Sequence, residues 1–450
     1  MKKFLGLVLL VAAYVGLSYY SGMVGEQYIN DQIELSRAQA DNANIALDVA
    51  NYERGVFQSN FDFSARANTE QFAVDSVTID AKAQVFHGPI IFADGIKFGW
   101  FYARTDNALS TSEAEINTLL AQVLPQGLGR LNLLGEYGGS YDANWRTDII
   151  EFNDDEGHIH VNGVDVHSEG RFDSLDSQST ITVGEIAASH SDGTEIGITP
   201  IHANVDMEFI APQVPLSSGK LQFDALTIKS PEGMTTAIRN IELMQRQRLE
   251  NDKIDTKVRL SAGQVEGMLP MSNLYYELEL NQVTQEAMAS WAELSPKLQT
   301  EEDYATYEQE IRTALTQLLH KDLVILMSSG GEAMNGYVNT KMDLHYVPPA
   351  NGRSLASLTE VAEYVRLVKG SGQVVISKEI MTGTPLIMLL APYMDTYIVQ
   401  QGDEYVLNAR INDGKLWVGD TPIELAPIIN GYFMALAPAT APAPAPTAAP

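Results

Sequence analysis

Apolar side chains recur mainly at every second position from Ile45 to about Leu280, as they do around Phe61 and Phe63. A period of two is typical of antiparallel strands that bury one face. The pattern therefore predicts a β-dominated α+β fold with long antiparallel sheets of stacked hairpins. One helix is predicted inside this region, from Ser112 to Leu124, because Ser112 suits the N-cap position and acidic residues follow it.

Part of the strand region repeats after 40 residues. The shared unit is a strand, a turn that contains Gly193 or Gly233, and a returning strand. Chance matching of apolar positions in an antiparallel protein is the alternative explanation. The matched positions are Ile181, Val183, Ile186, Ile198 and Ile201 in the first unit and Leu221, Phe223, Leu226, Ile238 and Ile241 in the second.

The second half of the chain contains stretches with helical spacing. Apolar residues mostly three and four apart predict helices over Val283 to Ile325, with a break near Pro296. Further helices are predicted over Leu355 to Val368 and over Pro385 to Val399. The chain then returns to strands in a hairpin from Tyr405 to Ile423, so this half is predicted to be a helical insertion followed by strands.

The N-terminus begins with two lysines and continues without a charge from Phe4 to Tyr20. Seventeen residues in a helix reach about 26 Å, close to the thickness of the hydrocarbon core of a bilayer. Lys2 and Lys3 are expected on the cytoplasmic side, which leaves the rest of the chain in the periplasm. The prediction is a single-pass anchor in the bacterial inner membrane. A cleaved signal peptide is the alternative, and it would export the same body.

These patterns divide the chain into five parts. A polar helical segment with a thin apolar seam follows the anchor and is predicted to be a stalk, and the alternating alanine and proline of the last residues predict an unfolded tail. The predicted parts are an anchor at 1–23, a stalk at 24–44, a β-rich domain at 45–282, a helical segment with returning strands at 283–434, and a tail at 435–450.

Composition removes several classes of function. The 29 basic and 58 acidic residues give a net charge of −29, which disfavours nucleic acid as a partner. The chain has no cysteine, and this excludes disulfides, thiol catalysis and cysteine-based zinc sites. No cofactor is predicted.

Two groups of histidines are candidates for a catalytic or metal-binding role. His87 stands at the predicted end of a strand, where either a site histidine or a polar turn residue is found. His158 and His160 share a strand face near acidic residues, whereas His167 falls on the opposite parity. No nucleophile elbow, metalloprotease helix or phosphate loop occurs. The sequence therefore predicts a protein that is not an enzyme, with neither catalytic residues nor a metal site.

Three short motifs carry a resemblance to a known family. The segment from Tyr52 to Ser59 reads YERGVFQS, His87-Gly88-Pro89 follows it, and a hairpin from Gly402 to Leu416 closes the pattern. Together with the basic start and single apolar segment, they resemble the YdgA-like family of proteobacterial inner-membrane-anchored periplasmic proteins. The resemblance implies an anchored body and self-association, and it brings no assigned biochemistry. The motif positions of unassigned role are Tyr52, Gly55, Phe57, Ser59, His87, Gly88 and Pro89.

Gly55 and Phe57 also have a structural interpretation. Gly55 is expected to permit the bend into the first strand, and Phe57 is expected to begin the buried face of that strand. The leading functional expectation is a non-enzymatic envelope protein that binds a lipid-like ligand along a curved sheet. The alternative is a structural or assembly module that acts through homodimerisation or an envelope protein partner, using strand edges or the Val283 to Ile325 helices.

Overall fold

The computed structural model describes residues 2–42, 45–68, 75–211, 214–267, 270–295, 298, 306–319, 323–349, 358, 361–394 and 396–428. The helices are α1 Lys2–Asn42, α2 Ala114–Val123, α3 Gln285–Leu294, α4 Glu308–Leu318, α5 Val361–Val365, α6 Lys378–Gly383 and α7 Leu386–Leu390. The predicted tail at 435–450 lies outside the described residues.

The strands follow one another through most of the chain. They are β1 Ile45–Arg54, β2 Gln58–Asn68, β3 Ser76–His87, β4 Ile90–Ile91, β5 Lys97–Phe98, β6 Phe101–Thr111, β7 Gly129–Gly135, β8 Ser140–Thr147, β9 Ile150–Asn153, β10 Gly157–Val161, β11 Val164–Arg171, β12 Ser177–Val183, β13 Ile186–His190, β14 Glu195–Ile198, β15 Ile201–Ala211, β16 Val214–Lys229, β17 Thr235–Glu250, β18 Lys253–Glu266, β19 Met271–Thr284, β20 Val324–Ala333, β21 Gly336–Tyr346, β22 Val368–Ser377, β23 Ile398–Gln401, β24 Glu404–Asn412, β25 Lys415–Val418 and β26 Thr421–Glu424.

The described strands other than β4 and β5 pair into one antiparallel sheet of 24 strands. From β15 to β22 each strand pairs with the next one along the chain, so this part is a meander of hairpins. β16 pairs with β15 along its first half and with β14 along its second half. The β-dominated antiparallel fold predicted from the alternation is confirmed.

The two halves of the 40-residue repeat form hairpins in the same register. Each has its turn glycine at positive φ, which is 93° at Gly193 and 82° at Gly233. A left-handed turn residue of this kind strongly favours glycine. The corresponding cross-strand pairs are Ile186 with Ile198 and Val183 with Ile201 in the first unit, and Leu226 with Ile238 and Phe223 with Ile241 in the second.

Helices pack on the sheet at several places, and two of these contacts carry a larger hydrophobic core, whereas α6 and α7 cover a smaller cluster around Met381. The first core, beneath α1, is formed by Phe61, Ala83, Val85, Phe101, Ala103 and Phe172. The second core, beneath α3 and α4, is formed by Val214, Ile254, Val283, Ala287, Leu323, Tyr346 and Leu358. Helix α2 confirms that a helix lies between Ser112 and Leu124, but the prediction of Ser112 as its N-cap is wrong: the N-cap is Glu113, and Ser112 Oγ accepts a hydrogen bond from the Asp75 amide instead.

The helical prediction for Val283 to Ile325 is wrong at both ends. Val283 belongs to β19, and Thr284 caps α3 by accepting a hydrogen bond from the Ala287 amide at 3.1 Å. Ile325 belongs to β20, because the apolar run that begins at Val324 pairs along β19 and β21. The described residues of this region therefore contain two helices and continue the same sheet.

The later helical predictions are also shortened. Within the span from Leu355 to Val368 the described helix is α5, and residues 350–357, 359 and 360 lie outside the described part. The span from Pro385 to Val399 breaks into α7, one turn of 3₁₀ helix at Ala391–Tyr393 and strand β23. Pro392 lacks the amide hydrogen that a continuing helix needs, which accounts for the tighter turn.

Helix α1 runs without a break across the predicted boundary between anchor and stalk. Within the described residues, no helix has an apolar stretch of the length and hydropathy that mark a membrane span. Part of α1 lies against the sheet, since Tyr28 and Ile29 pack on the first core. The prediction of a stalk for this segment did not include this contact.

Candidate functional site

The family-like motif residues come together beneath α1, in a region called here the helix-docking site. It consists of the turn between β1 and β2, the end of β3 and the start of β6. Gly22 and Gly25 bring α1 close to it: a Cβ on Gly22 would lie 2.5 Å from the His87 ring, and one on Gly25 would lie 2.9 Å from the Phe101 ring. Such distances leave no room for a larger side chain.

Aromatic and charged side chains extend this contact along α1. Tyr28 stacks on Phe172 with ring centroids 5.0 Å apart. Glu26 forms an ion pair with Arg54 at 2.8 Å, and the Arg54 guanidinium also lies over the ring of Tyr19. Sequence reasoning missed the α1 half of the site. The signal was present as Tyr14, Ser18, Gly22, Gly25 and Tyr28, which recur at a helical spacing of three and four.

The floor of the helix-docking site is a hydrogen-bonded pair of buried polar residues. Ser59 Oγ lies 2.8 Å from His87 Nε2, and His87 Nδ1 lies 2.9 Å from the carbonyl oxygen of Val56. Because a carbonyl only accepts, Nδ1 carries the proton and Nε2 accepts from the Ser59 hydroxyl. Ser59 is 0% and His87 3% exposed. His87 is the last residue of β3, which confirms its predicted place at the end of a strand, and its ring is buried rather than exposed in a turn.

Ser59, His87 and the Val56 carbonyl are hydrogen-bonded in the order of a nucleophile, a base and an orienting acceptor. This group lacks access, because α1 covers it and Gly22 lies directly against the imidazole. With the helix docked, no substrate can reach Ser59 Oγ. The arrangement therefore satisfies buried polar groups at a helix contact, which is a structural role.

The remaining motif residues shape the same site. The Gly55 amide donates to the Gln58 carbonyl at 2.9 Å, so Gly55 forms the turn that leads from β1 into β2, in agreement with its predicted place at the bend before the strand that follows Phe57. Phe57 does not begin a buried face, since it is half exposed and stacks on Tyr14 of α1. Gly88 packs against the Gly99 carbonyl, and its peptide bond to Pro89 is cis.

Tyr52 completes the cluster from β1. Its ring stacks on Phe61 at 5.7 Å, and its buried hydroxyl makes no hydrogen bond of acceptable geometry within the described part of the chain. Burial raises the pKa of Tyr52, and the nearby Ser59 hydroxyl opposes that rise in part. Tyr52 therefore remains a neutral phenol that packs in the core.

Burial lowers the pKa of His87, and the Val56 carbonyl offsets that effect only in part. An unfolded chain, with an ordinary histidine pKa of 6.5, then binds the proton more tightly than the folded chain. The contribution of neutral His87 to the free energy of unfolding is therefore complete above pH 6.5 and is lost as the pH falls below 6.5. Denaturant unfolding at about pH 7.5 and about pH 5.5 is expected to show a loss in wild type that His87→Gln lacks.

The matched control for this pH dependence is His158→Gln, since His158 is solvent-exposed. It is expected to keep the wild-type difference in the free energy of unfolding between the two pH values. An equal pH dependence in wild type and His87→Gln would show that the buried imidazole does not carry it.

The second histidine group lies on the surface of the sheet. His158 and His160 have ring centroids 6.3 Å apart, and His158 pairs with Glu151 at 3.1 Å. His167 lies apart from them because it belongs to β11, which pairs with β8 and β12, and not because of its parity within one strand. Among the described residues, the set that could hold a metal ion is Asp142, His167 and Glu169, whose ligand atoms lie within 4.8 Å of one another. All three are solvent-accessible.

A second region of interest lies on β16 to β21 and is called here the apolar groove. It has a volume of about 650 Å³, within the range of about 300–1,000 Å³ typical of small-molecule sites. Its floor is built from rows of apolar side chains that cross neighbouring strands. The rows are Phe223, Ile241, Ala262 and Leu274; Leu226, Ile238, Val265 and Met271; and Leu260 with Tyr276.

The lining distinguishes the apolar groove from two larger clefts. Those clefts have volumes of about 1110 and 840 Å³ and are lined largely by charged and polar side chains. In the apolar groove Glu332 is the one charged lining residue among those described. Leu260 is 48% exposed there, although a residue of its type usually lies inside. An open apolar surface of this kind makes the groove a candidate binding site.

The sequence predicted the strands that carry much of the groove, but it did not predict that these strands form an open groove. Twelve of its lining residues lie in the strand region that the alternation predicted, and four of these, Phe223, Leu226, Ile238 and Ile241, belong to the repeat. The alternation showed which residues share a face. Whether that face is covered by another layer or left open depends on distant packing, which the pattern does not contain.

The fold and these two regions define a class of protein: a single long antiparallel sheet with a helix docked at one part and an open apolar groove at another. The chain belongs to the family described as "Bacterial protein of unknown function (DUF945)", whose sequence model matches residues 1–389. The match includes the helix-docking site and the groove, and it ends before the hairpin from Gly402 to Leu416. No curated protein and no solved structure matches the chain.

Proposed function

We propose that this chain is an inner-membrane-anchored periplasmic protein that holds an acyl chain or a similar apolar ligand in the apolar groove, without catalysing a reaction. The proposed ligand is supported above all by the groove lining, which is mainly apolar on four successive strands and open to solvent. Each methylene group removed from water contributes about 0.8 kcal/mol, so an acyl chain gains affinity along its length.

The anchor is supported by the sequence of the N-terminus. The run from Phe4 to Tyr20 has no charge, and Lys2 and Lys3 precede it. The resemblance of the short motifs to YdgA-like proteins supports the same location. A periplasmic protein that is tethered beside the bilayer lies close to a source of acyl chains, which links the anchor to the groove.

The proposal that the protein catalyses no reaction rests on where its polar groups lie and on whether a substrate can reach them. The Ser59 and His87 pair is covered by α1. The groove lining is mainly apolar, and among the described lining residues no histidine or lysine stands beside its polar groups, which are Glu332 and the hydroxyls of Ser261, Ser329, Thr340 and two tyrosines. Neither region combines an accessible nucleophile with a base, which acyl or phosphoryl transfer would need.

Photolabelling with a fatty acid that carries a diazirine tests this function in the full chain, reconstituted in lipid nanodiscs. The protein is expected to be labelled saturably, and an unmodified fatty acid is expected to compete. Labelling that rises linearly with probe concentration and resists competition would show only partition into the lipid, and the proposed ligand would be withdrawn.

An assembly role is the second candidate. It is favoured by two exposed apolar side chains on the helices of the second core, Trp291 on α3 and Leu315 on α4, which are 45% and 37% exposed. These helices are the surface that a homodimer or an envelope protein partner would use. A concentration-independent monomer in light scattering would remove the homodimer.

A further inference from the structure

The body displays a second apolar surface, called here the rim, beside the N-terminal part of α1. It is formed by Phe57, Phe92, Ile96, Phe98 and Tyr137. The three residues of the β4 and β5 hairpin are the most exposed of them, at 71% for Phe92, 66% for Ile96 and 63% for Phe98.

The hairpin that carries most of the rim is firmly folded. Ile90 pairs with Phe98 between β4 and β5, and Ile91 and Ala93 are buried in a small cluster with Tyr102. One face of the hairpin is thus fixed to the body while the other face presents large apolar side chains to the outside. An apolar surface that folding does not need and water disfavours indicates a binding surface.

The rim is continuous with α1 through several contacts. The Tyr14 hydroxyl donates to the Ile90 carbonyl at 2.8 Å, and the Tyr14 ring stacks on Phe57 at 6.0 Å. The Tyr137 hydroxyl donates to the Pro89 carbonyl at 2.5 Å. The position of the rim relative to the uncharged N-terminal run is therefore fixed by contacts to Tyr14.

Tyr20, Trp100 and Tyr137 add an aromatic group at the same side. Trp100 lies 5.1 Å from Tyr137 and 5.9 Å from Tyr20, measured between ring centroids. Tryptophan and tyrosine are enriched where a protein crosses from lipid to water, because each ring is apolar with one polar atom. Their place next to the rim is that expected at a bilayer surface.

The length of the uncharged part of α1, compared with the thickness of a bilayer, indicates what covers the rim. From Phe4 to Ala13 α1 has ten uncharged residues, which span about 15 Å, and Tyr14, which follows them, contacts the body. A bilayer core is about 30 Å thick. The uncharged run can cross the core only if Tyr14 and the residues after it also lie in lipid, and the body surface beside them must then enter the lipid as well.

We infer that the rim is a membrane-docking surface, and that Phe57, Phe92, Ile96 and Phe98 enter the periplasmic leaflet beside the anchor. The inference rests on the proposed anchor and adds the orientation of the body. Asp94 and Lys97 are the charged residues of the hairpin, so the hairpin is neutral although the chain carries a net charge of −29. An acidic chain is thereby able to approach an anionic lipid surface at this place.

Docking at the rim also explains why α1 packs on the body. Fixing the helix against the helix-docking site sets the angle at which the sheet leaves the membrane. A flexible stalk would leave the body free to rotate about the anchor. Contacts from Tyr14 to Tyr28 instead hold anchor, rim and sheet as one unit.

The test uses the full chain, which has no native cysteine, in vesicles of phosphatidylethanolamine and phosphatidylglycerol. Single cysteines replace Phe98 in the rim, Leu5 in the N-terminal run and Met234 in a distant turn, and each is labelled with the environment-sensitive dye NBD. Met234 is the matched control because it is 60% exposed and apolar. Labels at Phe98 and Leu5 are expected to shift to shorter emission wavelength and to be quenched by nitroxide-bearing lipids, and the label at Met234 is not.

Each other outcome overturns the inference. A label at Phe98 that behaves like the one at Met234, while Leu5 is quenched, would leave the anchor in place and remove the rim from the membrane. If neither label is quenched, the anchor fails as well. A wavelength shift at Phe98 without lipid quenching would show that a protein surface or a second copy of the chain covers the rim.

Discussion

Gly22→Leu is expected to lower the free energy of unfolding by about 1–3 kcal/mol, the usual range for overfilling a packed contact. A Cβ at this position would already lie 2.5 Å from two atoms of the buried His87 ring. The imidazole cannot move away without breaking its hydrogen bonds to Ser59 and to the Val56 carbonyl. The substitution should therefore push α1 off the helix-docking site.

Gly16→Leu is the control on the same helix, because nothing lies within 4 Å of a Cβ at Gly16. Both substitutions remove a helical glycine, so both gain about 0.8 kcal/mol of helix propensity, and the difference between them reports the contact. Hydrogen exchange of the β2 and β3 amides, with denaturant unfolding, measures it. Equal protection in the two variants would contradict the docking of α1.

Leu260→Glu is expected to weaken labelling by the diazirine fatty acid at least about tenfold, which corresponds to about 1.4 kcal/mol. A carboxylate in the middle of the groove would have to lose water when an acyl chain covers it, and burial of an unpaired charge costs more than this. Leu260 is half exposed, so the folded protein tolerates the change. Labelling as a function of probe concentration gives the ratio of affinities.

Leu119→Glu is the matched control for the groove, since Leu119 is a comparably exposed leucine on α2, away from β16 to β21. It adds the same charge to the same protein and should leave labelling unchanged. A similar loss in both variants would point to a general charge effect on probe partition and would remove the groove from the explanation.

Much of the sheet could be predicted because one side of each strand is more buried than the other. In β3, for example, Ala81, Ala83 and Val85 are buried and the residues between them are exposed. Strand β20 escaped prediction because its residues from Val324 to Gly331 are all half-buried, so polar and apolar positions do not alternate. A short apolar run of this kind does not distinguish helix from strand.

The helix-docking site could be predicted only in part. The motif residues Tyr52, Ser59 and His87 were recognised as a group by resemblance, yet their common role as the floor beneath α1 depends on how β1, β2 and β3 bring them together. The helical spacing of Gly22 and Gly25 is visible in the sequence. It shows that α1 has a face for close packing without showing which surface that face meets.

The position of a bound acyl chain tests the central claim most directly. The bound diazirine fatty acid is crosslinked by light to the full chain in nanodiscs, and the labelled peptides are identified by mass spectrometry. Attachment is expected on β16 to β19, at groove residues such as Leu260, Leu274 and Tyr276. Attachment confined to the rim or to the N-terminal run, with none on these strands, would contradict the proposal that the sheet holds an apolar ligand.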